Sequence, residues 1–174
     1  MRWLFFRQGF AVYNSNMAMT REEAMRKTKE FLRKNVLCVI STVTETNKPE
    51  AAVSVFMTDN DFNFYFITRE HTRKFGNLKK NHNIAIVVGL KAEPFTVQAE
   101  GEAEYVSGEA RHLFMNEFAK RKDLQDMYTG PFLSMPGTDF AIFKVNIDWL
   151  RYLELDVQTG KETYYQIIPQ SDLL

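Results

Sequence analysis

A short segment between residues 66 and 81, FITREHTRKFGNLKKN, carries the side chains best suited to bind an anion. Thr68 ends an apolar, strand-like run, and Thr72 follows four residues later, where a helix is predicted to begin. Arg73 and Lys74 lie in the first turn of that helix. Free amides at a helix N-terminus favour an anion, whereas cations there are unfavourable unless an anion lies between them. The pattern is typical of a phosphate-binding corner; a solvated basic turn capped by Thr72 is the alternative interpretation.

Other residue types that often carry chemistry are sparse in this sequence. The three histidines, His71, His82 and His112, share no spacing typical of metal ligands, so no metal site is predicted. Cys38 lies in the apolar run VLCVI, where a small buried thiol is the simplest interpretation. One cysteine also excludes an internal disulfide framework and indicates a reducing, cytoplasmic location. No catalytic acid, base or nucleophile is identified.

The elements that must position the corner are mostly strands. Thr20-Arg-Glu-Glu23 is a capping box that begins a helix reaching about residue 34. Further helices are predicted at residues 72–81 and 107–127, and strands at 36–44, 51–58, 62–68, 84–89, 95–106 and 140–157. Strands in hairpin order favour a small antiparallel barrel. The sequence lacks regular βαβ alternation and a G-x-G-x-x-G motif, which disfavours a doubly wound nucleotide-binding sheet.

Alternation within two strands predicts which side chains are buried. Phe62, Phe64 and Phe66 fall on one face of the strand at 62–68. In the strand at 95–106, three glutamates occupy one face, which is therefore expected to contact water. Small or apolar residues occupy the other face, which ends with Tyr105. The barrel core is expected to form from these apolar faces.

Length and charge indicate one globular domain without a global electrostatic target. The chain has 174 residues, with 45% hydrophobic and 25% charged side chains. Lysine plus arginine and aspartate plus glutamate each total 22, so no net field would draw the protein to nucleic acid or an anionic membrane. No stretch approaches the roughly 18 apolar residues of a membrane span. We expect a disordered or cloning-related leader at 1–19, a domain at 20–157 and a polar tail at 158–174.

The segment from about residue 36 to 151 resembles the pyridoxamine 5'-phosphate oxidase-like family of FMN-binding split barrels. The motifs NKP, AAVSVFMT, FYFIT and TRK occur in the family's order, and NLKKNHNIAIVVG, FTVQAEGEAEYVSG and FKVNIDWLRY are similar to its later segments. The resemblance implies a mainly β fold with flanking helices, a six-stranded antiparallel split β-barrel of Greek key topology. It also implies a homodimer with FMN at the two-fold interface.

The resemblance also implies cofactor-binding positions. Four residues would hold the FMN phosphate: Thr68, Thr72, Arg73 and Lys74. Four residues of the second strand would lie against the isoalloxazine ring: Ala52, Val53, Ser54 and Val55. Thr96 would contact the flavin, and Trp149 and Arg151 would reach it from the neighbouring subunit.

Two departures from the family pattern limit the expected chemistry. Ala52 stands where the authentic oxidase has an arginine, so Arg73 and Lys74 are expected to supply most of the positive charge. The basic, histidine-containing motif that holds pyridoxal phosphate is missing after Trp149. We therefore expect a retained flavin site without oxidation of pyridoxamine phosphate. Substrate contacts are expected from loops at 91–94 and 132–137.

Three functions remain open at this point. The first is an FMN-dependent oxidoreductase or flavin reductase, with NAD(P)H as a candidate electron donor. The second is a flavin-binding or general-stress protein without efficient turnover. The third keeps the fold and exchanges the ligand for the deazaflavin F420 or for haem, although no histidine is clearly placed as an axial haem ligand.

Overall fold

Seven strands and three helices make up the described part of the chain. The structure is a computed structural model and describes residues 19–89, 94–121 and 140–169. In chain order the elements are α1 (Arg21–Lys34), β1 (Leu37–Val43), β2 (Pro49–Thr58), β3 (Phe64–Arg69), α2 (Arg73–Leu78), β4 (Asn83–Val88), β5 (Phe95–Val106), α3 (Gly108–Lys120), β6 (Phe140–Leu155) and β7 (Glu162–Ile168).

Six of these strands close into an antiparallel barrel. Their order around the ring is β1-β2-β3-β6-β5-β4, and β4 pairs with β1 to complete it. The first part of β6 pairs with β3, and its second part pairs with β7, which extends the sheet beyond the ring. The predicted fold class, a mainly β six-stranded antiparallel barrel with flanking helices, is confirmed.

The barrel is split between β2 and β3. These strands pair over three positions only, with Phe56 opposite Phe66 and Thr58 opposite Phe64. Beyond Phe56 they diverge, so residues 51–55 of β2 pair with β1 on one edge and, within the described part of the chain, with no strand on the other. The chain leaves β3 at Arg69 and enters α2, which places the predicted corner beside this split.

The aromatic side chains next to the split anchor it to the barrel core. Phe56 and Phe64 stack with ring centroids 5.2 Å apart, and Phe66 stacks on Phe143 of β6 at 5.4 Å. All four are buried. Since complete burial of such a side chain stabilises a fold by about 1.5–3 kcal/mol, these rings fix the positions of the strand ends that border the split.

Helix α3 covers the outer face of the barrel near the same split. Phe114 and Phe118 are its buried side chains. They pack in a second apolar cluster with Val55, Ile67 and Ile142, which come from β2, β3 and β6. The outer face beside the split is therefore lined with apolar groups on the α3 side.

Helix α1 begins at the predicted capping box. The Thr20 hydroxyl accepts a hydrogen bond from the backbone N–H of Glu23 at 3.2 Å. The buried hydroxyl of Thr28 donates to the carbonyl of Ala24 at 2.7 Å, so its polar atom is satisfied inside the helix.

Two side chains depart from the predicted alternation. Phe62 lies in a turn with φ 67° rather than in a strand, because the Asp59 carboxylate accepts from the N–H groups of Asp61 and Asn63, both at 2.9 Å. Its ring is nevertheless buried in the core. Tyr105 is 47% exposed, since it is the last inward position of β5 and lies at the end of the barrel.

The segment expected to be a polar tail contains strand β7. Ile167 of this strand is buried in the main core, and Tyr165 packs against that core. β-branched and aromatic residues at alternate positions, Thr163, Tyr165 and Ile167, supply the inward face that pairing with β6 buries. The expected leader, except residue 19, lies outside the described residues, as do nearly all of the loop at 91–94 and the whole of the loop at 132–137. None of the described helices is long and apolar enough to span a membrane.

Candidate functional site

The two threonines of the predicted corner form one hydrogen-bonded unit. The hydroxyl oxygens of Thr68 and Thr72 lie 2.8 Å apart. Thr72 donates to the carbonyl of Arg69 at 2.8 Å and accepts from the N–H of Phe75 at 3.4 Å, which caps α2. Because the Thr72 proton is committed to Arg69, Thr68 is the donor in the pair. Thr68 is therefore the hydroxyl that can turn toward an anion while the helix cap stays intact.

A cavity of about 250 Å³ opens at this corner, between the diverging strands β2 and β3. Six of the eleven residues predicted to bind a cofactor line it: Val53, Ser54, Val55, Thr68, Thr72 and Lys74. The remaining lining residues are Leu37, Ile67, Arg69 and Phe140. Segments far apart in sequence therefore meet at one site through the split of the barrel.

Lys74 brings a positive charge to the cavity. Its ammonium donates to the carbonyl oxygen of Val53 at 3.3 Å, which ties α2 to the free edge of β2. Burial lowers the pKa of Lys74, and the nearby Cys38 opposes that shift. Burial also raises the pKa of the Cys38 thiol to about 12, so this cysteine stays a neutral thiol beneath the site.

Arg73 faces away from the cavity. Its guanidinium forms an ion pair with Glu50 of β2, and its side chain is 82% exposed. With Glu50 it borders a separate surface depression that also includes Asn77. Arg69 lines the cavity instead. Arg69 was not predicted from the sequence; the available signal was a further arginine directly after Thr68, at the end of β3.

Ala52 is adjacent to the cavity but does not line it. It pairs with Ile40 of β1, whereas its neighbours Val53 and Ser54 border the opening. Ser54 is buried, and its hydroxyl lies 3.5 Å from the carbonyl of Ile67, across the split. The side of β2 that meets the cavity thus begins at Val53.

Trp149 and Arg151 form a separate group on β6, and Thr96 lies on the neighbouring strand β5, opposite Leu153. The Arg151 Nε donates to Gln98 Oε1 at 2.7 Å. Its guanidinium carbon lies 5.1 Å from the ring centroid of Trp149 and 4.8 Å from that of Tyr164. Gln98 and Tyr164 were not predicted. The signal for Gln98 was a lone amide beside the three glutamates of β5, and Tyr164 lay in the segment taken for a tail.

Strand register separates this group from the cavity within one chain. Val53 pairs with Val39, Val39 with Val87, Val87 with Gln98, and Gln98 with Arg151. Four interstrand steps of about 4.8 Å place Arg151 roughly 19 Å from Val53 along the sheet. Val53, which lines the cavity, and Arg151, from the second group, therefore lie at opposite ends of one row.

The row between the two groups is apolar and faces outward. Val53 is 56% exposed and Val87 is 36% exposed, and Val39 is half-buried between them. We call Val39, Val53 and Val87 the valine row. Exposed β-branched residues side by side on a sheet are a typical protein-contact surface.

The described part of the chain contains no group of three or more His, Cys, Asp or Glu side chains that could hold a metal ion. None of the ten described residues that line the cavity is a histidine or a carboxylate. The arrangement therefore offers cations and hydroxyls to an anion, and no acid–base pair.

The protein is a small six-stranded β-barrel whose strands form a complete ring but diverge locally between β2 and β3. The cavity at that point is lined by cations and hydroxyls and is suited to an anionic ligand. A family model described as pyridoxamine 5'-phosphate oxidase matches residues 24–154. This match covers most of the chain, so the chain belongs to that family, and the resemblance inferred from its motifs is confirmed. A comparison with curated proteins gave no match.

Solved structures share the fold at low sequence identity. The General Stress Protein 26 from Bacillus anthracis str. Sterne is 20% identical with a TM-score of 0.60, over 81% of this chain and 98% of that one. A heme binding protein from Mycobacterium smegmatis is 14% identical with a TM-score of 0.57, over 82% and 57%. An F420 reductase is 19% identical with a TM-score of 0.54, over 70% and 94%. At these identities the likeness establishes the fold.

Proposed function

We propose that this protein is an FMN-binding flavoprotein that acts as a homodimeric oxidoreductase. The observation that carries the proposal is the cavity at the split of the barrel, where Lys74 and Thr68 lie beside the free edge of β2. A phosphate group fits this set of donors, since an ammonium and a hydroxyl both donate hydrogen bonds to anionic oxygens.

Each part of the cavity would have its own task in holding FMN. Lys74 would bind the phosphate as a point charge, and Thr68 would donate to it once its proton turns from Thr72. The free edge of β2 at Val53 and Ser54 would contact the ring through backbone groups. Apolar neighbours such as Ile67 and Phe140 would exclude water from the same site.

The size of the cavity supports a second copy as part of the site. Pockets for small-molecule ligands usually enclose about 300–1,000 Å³, which is more than the volume of about 250 Å³ of this cavity. A flavin anchored at Lys74 would extend over Val53 onto the exposed valine row. In the proposed dimer, a two-fold axis would bring Trp149 and Arg151 of the second copy to this flavin, since neither residue lines the cavity of its own chain. Burial of the valine row would add apolar contact to the interface.

When bound, FMN would supply the redox chemistry by taking up a hydride or electron pair and passing it to an acceptor. The chain's own residues would bind, orient and shield it; the described residues of the cavity wall include no carboxylate or histidine to move a proton. NAD(P)H is the proposed electron donor. We further propose that pyridoxamine phosphate is not the substrate, and that the single buried Cys38 reflects a cytoplasmic location.

The same cavity chemistry supports F420 as a second candidate. Its phosphate would meet the same ammonium and hydroxyl, and one structure that shares the fold is an F420 reductase. Haem has less support, because no histidine lines the described cavity. The remaining alternative is a flavin-binding, general-stress protein without turnover. It would use the same cavity as the oxidoreductase and would differ from it only in that it catalyses no reaction.

Purified protein tests these alternatives directly. We expect a yellow protein with flavin absorption, a co-purified mass of FMN, and bleaching of the colour by NADH or NADPH. Flavin without bleaching would favour the non-catalytic binder, and a deazaflavin mass would favour F420. A colourless protein that takes up neither added FMN nor F420 would refute the proposal.

A further inference from the structure

Arg151 of β6 contacts two aromatic rings on the outer face of the barrel. Its guanidinium carbon lies 5.1 Å from the ring centroid of Trp149 and 4.8 Å from that of Tyr164. Trp149 is two residues away on the same strand, on the other side of the buried Leu150, whereas Tyr164 comes from β7. A cation over the face of an aromatic ring is attracted by the electrons of the ring, so both rings restrain this side chain.

A hydrogen bond fixes the Nε side of the same guanidinium. The Arg151 Nε donates to Gln98 Oε1 at 2.7 Å, and the two residues are direct partners in the pairing of β5 with β6. A guanidinium carries five N–H donors, four of which belong to its two terminal nitrogens. Within the described residues, no oxygen accepts a hydrogen bond from those two nitrogens. Arg151 is therefore held by three side chains and still offers its terminal N–H groups to a ligand.

Tyr164 contributes more to the surroundings of Arg151 than to the core. It is 49% exposed, and its hydroxyl donates to the carboxylate of Glu162, which helps to fix the orientation of its ring. The side chain by which β7 enters the main core is that of Ile167. Strand β7 lies beyond residues 24–154, the segment that the family model matches, so the family resemblance did not imply this contact.

We infer that Tyr164 and Gln98 are positioning residues, which hold Arg151 so that its terminal N–H groups donate to the carbonyl oxygens of a flavin ring bound by the second copy. The inference rests on the proposed function and adds β7 to the site. The ring is the target because the phosphate would lie at Lys74 and the ring would extend from there over Val53. An arginine that is already restrained loses less conformational freedom when a ligand arrives, which favours binding.

The test combines each positioning variant with Arg151→Met. Tyr164→Leu removes the ring, and Gln98→Leu removes the acceptor. Each variant is titrated with FMN and with riboflavin, which has the same ring and no phosphate, with flavin fluorescence as the readout. Each single variant is expected to weaken the binding of both flavins by about three- to tenfold, because the ligand must then order a mobile arginine. In the Arg151→Met background the same changes are expected to weaken binding by less than about twofold, because the side chain that they position is gone.

Two further variants separate positioning from a general effect on the protein. Tyr164→Phe keeps the ring, so we expect its flavin affinities to stay within about twofold of wild type. Tyr105→Leu is the matched control, because Tyr105 is exposed to a similar degree, 47%, and lies seven positions along β5 from Gln98. It should bind both flavins as the wild type does. Light scattering and circular dichroism should report the wild-type assembly and fold for every variant.

Several outcomes would overturn the inference while leaving the flavin site in place. One is unchanged flavin affinity in Tyr164→Leu or in Gln98→Leu, and another is a loss as large in the Arg151→Met background as in the wild type. A loss confined to FMN would mean that Arg151 meets the phosphate rather than the ring. A loss that Tyr164→Phe shares in full, or that accompanies dissociation of the dimer, would assign Tyr164 a structural role. A wild-type protein that binds neither flavin would overturn the proposed function and this inference with it.

Discussion

Lys74→Met isolates the ammonium that the cavity offers to a ligand. Methionine keeps much of the aliphatic stem and removes the charged group, together with its hydrogen bond to the Val53 carbonyl at 3.3 Å. Lys79→Met is the matched control, because Lys79 follows α2 directly, is exposed, and does not line the cavity. Both variants lose one positive charge from the same part of the surface.

The expected rise in the Kd for FMN follows from the kind of contact that is lost. Hydrogen bonds to charged groups contribute about 1.5–3 kcal/mol, which corresponds to a rise of roughly 10- to 150-fold in the Kd for FMN. Riboflavin lacks the phosphate, so its Kd is expected to change by less than about threefold. Lys79→Met is expected to change either Kd only slightly, because an exposed charge outside the cavity is screened.

The lowered pKa of Lys74 adds a pH dependence. A bound phosphate favours the charged ammonium, so FMN affinity should fall as the pH rises through this lowered pKa, which lies below the ordinary value of 10.5. In Lys74→Met this part of the pH dependence should be absent. A control titration with Lys79→Met should keep the wild-type profile.

The lowered pKa of Lys74 also affects the stability of the protein without bound flavin. Between the lowered pKa and 10.5, the unfolded chain binds more protons than the folded protein. The contribution of Lys74 to the free energy of unfolding therefore increases with pH in that window and is least favourable at neutral pH. Removing the ammonium removes this cost, so the ligand-free Lys74→Met variant should have a Tm equal to or above that of wild type.

Fluorescence titrations from pH 7 to 10 and thermal melts without ligand measure all three effects. For Lys74→Met we expect weaker FMN binding, nearly unchanged riboflavin binding and no loss of Tm. Unchanged FMN affinity would refute the role of Lys74. Equal losses for FMN and riboflavin, or a clear drop in Tm, would mean that the side chain supports the fold of the cavity rather than the phosphate.

Three further perturbations address the assembly and the fold. Val87→Arg places a charge in the exposed valine row without touching the cavity. We expect light scattering to report a monomer whose circular dichroism spectrum is that of the wild type, whereas a dimer that persists would locate the interface elsewhere. Arg151→Ala should weaken FMN binding at least about fivefold if a second copy completes the site, and an unchanged Kd would argue against that contribution. Gly101→Ala should lower the free energy of unfolding in urea by about 1–3 kcal/mol, because a Cβ there would collide with the carbonyl of Asn146 at the β5–β6 bulge. Gly76→Ala, where a Cβ meets open space inside α2, is its control and should be neutral or stabilising.

Local chemistry made part of this protein predictable from sequence. The Thr20 cap of α1 depends on residues three apart, and the Thr72 cap of α2 likewise needs only its own first turn. The glutamate face of β5 follows from the two-residue period of a strand. Short-range geometry of this kind depends only on neighbouring residues, so the sequence is enough to predict it. The order of the motifs along the chain also predicted the fold and the family.

Tertiary structure decided which predicted residues share a site. The sequence placed Arg73 beside Lys74, but Glu50, 23 positions earlier, holds Arg73 outside, and the path of β3 brings Arg69 to the cavity. Strand β7 joined the sheet because β6 is long enough to offer it a partner, which also set Tyr164 against Arg151. Local patterns determined most of the elements and most of the faces that they bury. Ion pairs and strand register join residues far apart in sequence, so only the closed barrel fixed which side chains meet the cavity.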